Sequence, residues 1–141
     1  SYWLLVKLDT NGQSPEVLKK LIDENLIDYV AMDIKDSISN YELSWVKNLD
    51  MKPYLESIKI LMNWKVDYEF RTTVISGHHT EATIEEIAKS IKWASKYCLQ
   101  NFEWKWKLLD PEFKGKRFTK KELENMKEIV LKYVKECEIR T

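Results

Sequence analysis

Cysteine is scarce in this chain: Cys98 and Cys137 are the only two in 141 residues. Their spacing matches no zinc or iron–sulfur ligand pattern, which argues against a metal centre built from local thiolates. The ordinary reading is two reduced, buried thiols in a cytoplasmic protein. An excess of either charge is also missing, since 23 Lys and Arg balance 23 Asp and Glu. That removes support for a nucleic-acid or polyanion partner. No apolar run approaches the roughly 18 residues of a membrane span, and no signal peptide is visible. Only three glycines and three prolines occur, and 44% of the residues are hydrophobic. Such a composition suits one folded domain over residues 1–141, not a disordered chain. No Gly-rich phosphate loop and no Ser-His-Asp arrangement is present. Strand-like residues begin at Tyr2 with no initiator methionine before them, so the expectation is a chain that starts inside a larger protein.

What is present is an alternation of short apolar strands and longer helical patterns. Trp3 to Asp9 reads as a strand. Asn11-Gly12 then gives a turn, Ser14 a helix N-cap and Pro15 a first helical residue. Val17, Leu18, Leu21 and Ile22 form an apolar stripe at helical spacing. Asp28 to Ile34 is a second strand. Ser37 to Leu49 reads as loop with a short helical turn, and Lys52 to Lys65 as helix. Val66 to Ile75 is a third strand, followed by a helix that Thr80 caps. Tyr97 to Phe102 is a fourth strand. Thr119 and Glu122 form a capping box for a helix over Lys120 to Glu136, and "CEIRT" closes the chain as a possible edge strand. This βαβαβαβα order, with a possible fifth strand, predicts an α/β fold of parallel strands with helical crossovers, open or part of a barrel. An unpaired first strand would favour dimerisation or aggregation.

The period of two along each strand separates two faces. In "YVAMDIK", Val30, Met32 and Ile34 oppose Tyr29, Ala31, Asp33 and Lys35. Lys7 and Asp9 oppose Leu8 in the first strand, and Glu69, Arg71 and Thr73 oppose Phe70, Thr72 and Val74 in the third. In the fourth, Gln100 alternates with Leu99. Doubly wound sheets bury both faces and carry continuous apolar runs. These strands instead predict helices on one face and a polar, ligand-bearing hollow on the other, near the carboxyl ends of the strands. The structural alternative is that Lys7, Lys35 and Arg71 merely neutralise Asp9, Asp33 and Glu69. Mixed signs also suit a zwitterionic ligand.

The stretch "KLDTNGQSPEVLKKLIDENLIDYVAMDIK", followed by "YEFRTTVISGHHTEATIEEIAKSIKWA", resembles the C-terminal half of radical S-adenosylmethionine activating enzymes. The nearest type is the activating protein of anaerobic ribonucleoside-triphosphate reductase, with pyruvate formate-lyase activating enzyme as a relative. The likeness runs from about Lys7 to Lys96, and more loosely to "LLDPEF". It implies the C-terminal part of a (β/α)6 partial TIM-like barrel with helices on the outer face. It implies S-adenosylmethionine and a [4Fe-4S] cluster as cofactors, and a glycyl-radical enzyme as partner. Asp9, Thr10 and Asp33 match ligands of a monovalent cation; Lys35, Arg71 and Asp33 match positions at the cofactor. The three-cysteine cluster motif and the Gly-Gly-Glu segment of the family's N-terminal half do not occur here. The resemblance therefore implies a portion contributing cation, cofactor and substrate contacts, without the cluster. The "EWKWK" segment departs from the family pattern.

Two other classes of function stay open: a non-catalytic half-barrel or interaction module, and an unrelated β/α-barrel enzyme for a small zwitterionic metabolite. His78 and His79 lack an i, i+4 partner or a nearby carboxylate set in the sequence, so a substrate-side loop is preferred to a metal site. Trp104 and Trp106 suit a docking or barrel-closing segment better than a base-stacking platform.

Overall fold

The computed structural model describes residues 3–41, 50–63, 66–103, 113 and 115–141. Its elements are β1 (Lys7–Thr10), α1 (Pro15–Asp23), β2 (Tyr29–Asp33), α2 (Ile38–Tyr41), α3 (Met51–Asn63), β3 (Asp67–Val74), α4 (Glu81–Ser90), β4 (Tyr97–Asn101), α5 (Lys120–Val130) and β5 (Cys137–Arg140). All five strands are parallel and lie in chain order, β1-β2-β3-β4-β5. The order never reverses, so this is the curved sheet of a partial TIM-like barrel and not a doubly wound sheet. The terminal "CEIR" is a full fifth strand paired to β4.

One face of the sheet is the core. Val30, Met32, Phe70, Val74, Tyr97 and Leu99 are fully buried there. The helices supply Leu61, Ile84, Ile87, Leu123 and Met126, all buried in the same cluster. Each such side chain contributes about 1.5–3 kcal/mol by leaving water. Thr72, a polar residue on this face, donates its hydroxyl to Ile34 O at 2.7 Å and meets Tyr97 Oη at 2.7 Å. Its alternation into the core is thereby satisfied.

Local signals explain most element ends. Thr80 Oγ1 accepts the Thr83 N–H at 3.2 Å, and Thr119 with Glu122 makes both bonds of a capping box. Two expectations need correction. Ser14 makes no side-chain cap; its carbonyl takes the Leu18 N–H at 3.0 Å, and Pro15 sets the first turn instead. The first strand is shorter than its apolar pattern: only Lys7–Thr10 pairs, while Trp3, Leu4 and Leu5 are exposed. They precede the register in which β2 begins, so no neighbour is available to them. The tryptophans of "EWKWK" lie outside the described residues. No helix among the described residues is long and apolar enough to cross a membrane.

Candidate functional site: two ionic clusters on one sheet face

The second face of the sheet carries the charges. In register, Asp33 pairs with Arg71, Arg71 with Cys98, and Cys98 with Glu138, so all four share that face. Ala31 and Cys98 are the small residues among them, and they leave room for long ionic side chains to meet.

The open cluster collects the residues expected from sequence. Arg71 Nε donates to Asp33 Oδ1 at 2.6 Å, and Arg71 Nη1 to Asp9 Oδ1 at 3.3 Å. Lys35 Nζ donates to Asp33 Oδ2 at 3.1 Å, and Lys7 Nζ stands 3.4 Å from Asp9 Oδ1. Asp9, Thr10, Asn11, Asp33 and Arg71 line an open depression of about 390 Å³. Burial alone would raise the Asp33 carboxyl, but the bonds from Arg71 and Lys35 outweigh it and hold it below the usual carboxylate range. Burial would likewise lower the Arg71 guanidinium, yet Asp33 and Asp9 raise it. Asp33 and Arg71 therefore face each other as a carboxylate and a guanidinium at neutral pH.

The loop after β1 is held by close packing and by hydrogen bonds. Gly12 has φ +77 and packs against Met32 and Tyr54 so closely that a Cβ would collide with Met32. Its carbonyl accepts the Ser57 hydroxyl of α3 at 2.8 Å. Thr10 Oγ1 accepts the Gly12 N–H at 3.1 Å, and Asn11 Oδ1 the Gln13 N–H at 3.1 Å. Thr10 thus lines the depression with its hydroxyl turned toward its own loop. The end of β2 is strapped to β3 by Ile34 N–H on Arg71 O at 2.8 Å. Tyr41 Oη takes the Lys35 N–H at 2.8 Å.

The closed cluster was missed by sequence reading. Glu69 pairs not with Lys7, Lys35 or Arg71 but with Arg140, whose Nη1 and Nη2 reach Oε1 and Oε2 at 2.7 Å each. Tyr29 Oη adds a third bond to Glu69 at 3.1 Å. Arg140 Nε also holds Glu138 at 2.9 Å, and Lys96 holds Glu138 at 2.6 Å. Glu69 is 1% exposed. Burial would raise its carboxyl, but the two-pronged Arg140 contact outweighs this and leaves it below the usual range. Glu138 is held down to about 2 by Arg140 and Lys96. The missed signal was Arg140 itself, an alternating basic residue in the last strand.

An iron–sulfur cluster does not fit these residues. It needs three thiolates held together, and the chain has two cysteines. Cys98 lies on the charged face, whereas Cys137 is in register with Tyr97 on the core face. Burial pushes the Cys98 thiol up to about 11 and the Cys137 thiol up to about 12, so both remain protonated at neutral pH. The open cluster, with its carboxylates beside a guanidinium and an ammonium, has donors suited to a cation and to an amino-acid head group.

The sheet order and the charged hollow define a class: a parallel α/β partial barrel with its ionic face turned inward. Among known proteins, the chain is 38% identical over 142 residues to a protein of Methanocaldococcus jannaschii named as a glycyl-radical enzyme activating enzyme. The match covers 96% of this chain and 58% of that relative, so the chain spans little more than half of its homologue. No protein-family model matches. The fold matches the crystal structure of a domain of pyruvate-formate lyase-activating enzyme from Bacteroides vulgatus, with TM-score 0.73 over 98% of this chain and 82% of that one. At 13% identity this likeness carries the fold alone.

Proposed function

We propose that this chain carries the cation, cofactor and substrate contacts of a radical S-adenosylmethionine protein that activates a glycyl-radical enzyme, of the anaerobic ribonucleoside-triphosphate reductase type. It corresponds to the C-terminal half of such a barrel, and the cluster-binding half is not part of these residues. The observation that supports this best is the convergence of Asp9, Asp33 and Arg71 at one open depression, with Lys35 bonded to Asp33, in a chain 38% identical to a protein named as a glycyl-radical enzyme activating enzyme.

The roles follow from the bonds. Arg71 spends Nε on Asp33 and Nη1 on Asp9, which leaves Nη2 to receive a ligand carboxylate. Lys35, 63% exposed at its side chain, swings between Asp33 and that carboxylate. Asp9, Asp33 and Thr10 offer the oxygen ligands a potassium or sodium ion requires. S-adenosylmethionine, when bound and reductively cleaved, supplies the radical chemistry that removes a hydrogen atom from a glycine of the partner. This chain's part is to fix the head group and balance its charge, since it holds no cluster ligands.

Titration calorimetry of S-adenosylmethionine into the chain tests this reading. Binding strengthened by potassium and lost in Arg71→Leu is the expected result. Equal heats from the wild type and Arg71→Leu would end it. Equal affinity for free methionine would favour a metabolite-binding hollow.

A further inference from the structure

The loop after β3 brings His78 and His79 beside one carboxylate, Asp36, that is distant in the sequence. Asp36, Ser37 and His79 are buried at the junction of the loops that follow β2 and β3. Candidate ligand atoms of Asp36, His78 and His79 lie within 4.8 Å of one another. A metal site is the first idea this suggests, and hydrogen bonding argues against it. The Ile75 N–H donates to His79 Nδ1 at 3.0 Å, so that nitrogen is bare. His79 Nε2 must then carry the proton, and it donates to Lys35 O at 2.9 Å. A metal on Nε2 would force a hydrogen onto Nδ1, facing the Ile75 N–H. His79 is therefore a latch between two loops. Burial lowers its pKa, which keeps it neutral.

His78 is held differently. Asp36 Oδ1 accepts the Ser37 N–H at 2.7 Å and the Asn40 amide at 3.2 Å. Asp36 Oδ2 faces His78 Nε2 at 2.9 Å. Asp36 Oδ1 already accepts from two donors, so the contact assigns Oδ2 as acceptor and His78 Nε2–H as donor, with Nδ1 as the ring nitrogen left for a ligand. The His78 side chain is 34% exposed while Asp36 is 2% exposed. The His79 ring stands edge-on to it at 4.7 Å and 89°, which limits its rotation. A buried acid thus orients a half-exposed imidazole at the carboxyl ends of β2 and β3. Neither residue lines the open depression.

We propose that Asp36 and His78 form a proton-transfer site for a hydroxyl group, water included, bound over these loops. As the O–H bond breaks, its proton bonds to Nδ1 and its electron pair bonds to the carbonyl carbon of an ester held beside it; the adduct then expels the ester's other oxygen as its anion. Asp36 balances the imidazolium charge until the proton returns to solvent. Asp36 is the positioning residue. This site does not depend on the cofactor reading above.

Hydrolysis of p-nitrophenyl acetate is the probe, with nitrogen-15 NMR of the histidine rings beside it. The wild type should hydrolyse the ester about tenfold or more faster than His78→Gln, whose amide still reaches Asp36. His78 should show one Nε2–H tautomer, and Asp36→Asn should lose it along with part of the rate. Equal rates in the wild type and His78→Gln would overturn the proposal. So would stoichiometric zinc binding that shifts both histidine rings, which would mark a metal site instead.

Discussion

The open and closed clusters share one sheet face and one chemistry, yet they differ in a single physical variable. Glu69 is 1% exposed and bonded on both oxygens by Arg140. Arg71, the equivalent hub of the open cluster, is 21% exposed, and its partner Asp9 is 57% exposed. Water reaches ions of both clusters, Arg140 at 35% and Glu138 at 38% included, but it does not reach the Glu69 carboxylate. Buried ions must keep their partners, whereas exposed ones can exchange them for a ligand. The same ionic pattern therefore serves as a strut between β3 and β5 and as a receptor beside β1 and β2.

The largest effect expected is at the strut. Arg140→Leu leaves Glu69 buried without its partner and should lower unfolding free energy by about 3–5 kcal/mol, read from the urea midpoint. A loss under 1 kcal/mol would mean that the two clusters are alike. Acid should act through the same group. Glu138 falls from the ordinary 4.5 to about 2 in the fold, and Glu69 is lowered as well. A lowered carboxyl contributes stability above its unfolded value and loses it as pH falls through the folded one. Stability should therefore decline between pH 4.5 and about 2, and the decline should be shallower in Arg140→Leu.

A smaller effect on stability is expected at the receptor. Arg71→Leu should cost about 1–2 kcal/mol but abolish S-adenosylmethionine binding in calorimetry. Lys35→Gln should cost under about 0.5 kcal/mol and weaken binding only partly. If Lys35→Gln proved as destabilising as Arg140→Leu, exposure would not be the deciding variable.

Much of this was legible in the sequence, for local reasons. The charged face of β2 and β3 followed from a period of two, which no packing partner can alter. Thr80 and Thr119 capped their helices because the cap oxygen and the N–H that donates to it lie three residues apart. The Glu69–Arg140 pair was not legible, because β4 separates its strands and the two residues are 71 positions apart. The Asp36–His78 contact depends on two loops meeting, which no strand pattern specifies. Ser14 took the N-cap position that the sequence indicated, but without a side-chain bond.

Hydrogen exchange measured by mass spectrometry, with and without S-adenosylmethionine, tests the division of labour most directly. The account predicts ligand-induced protection in segments holding Asp9 to Gly12, Asp33 to Asp36 and Arg71 to Thr73, with no change at Cys137 to Arg140. Protection spread evenly over both clusters, or none at Asp9 and Asp33, would contradict it.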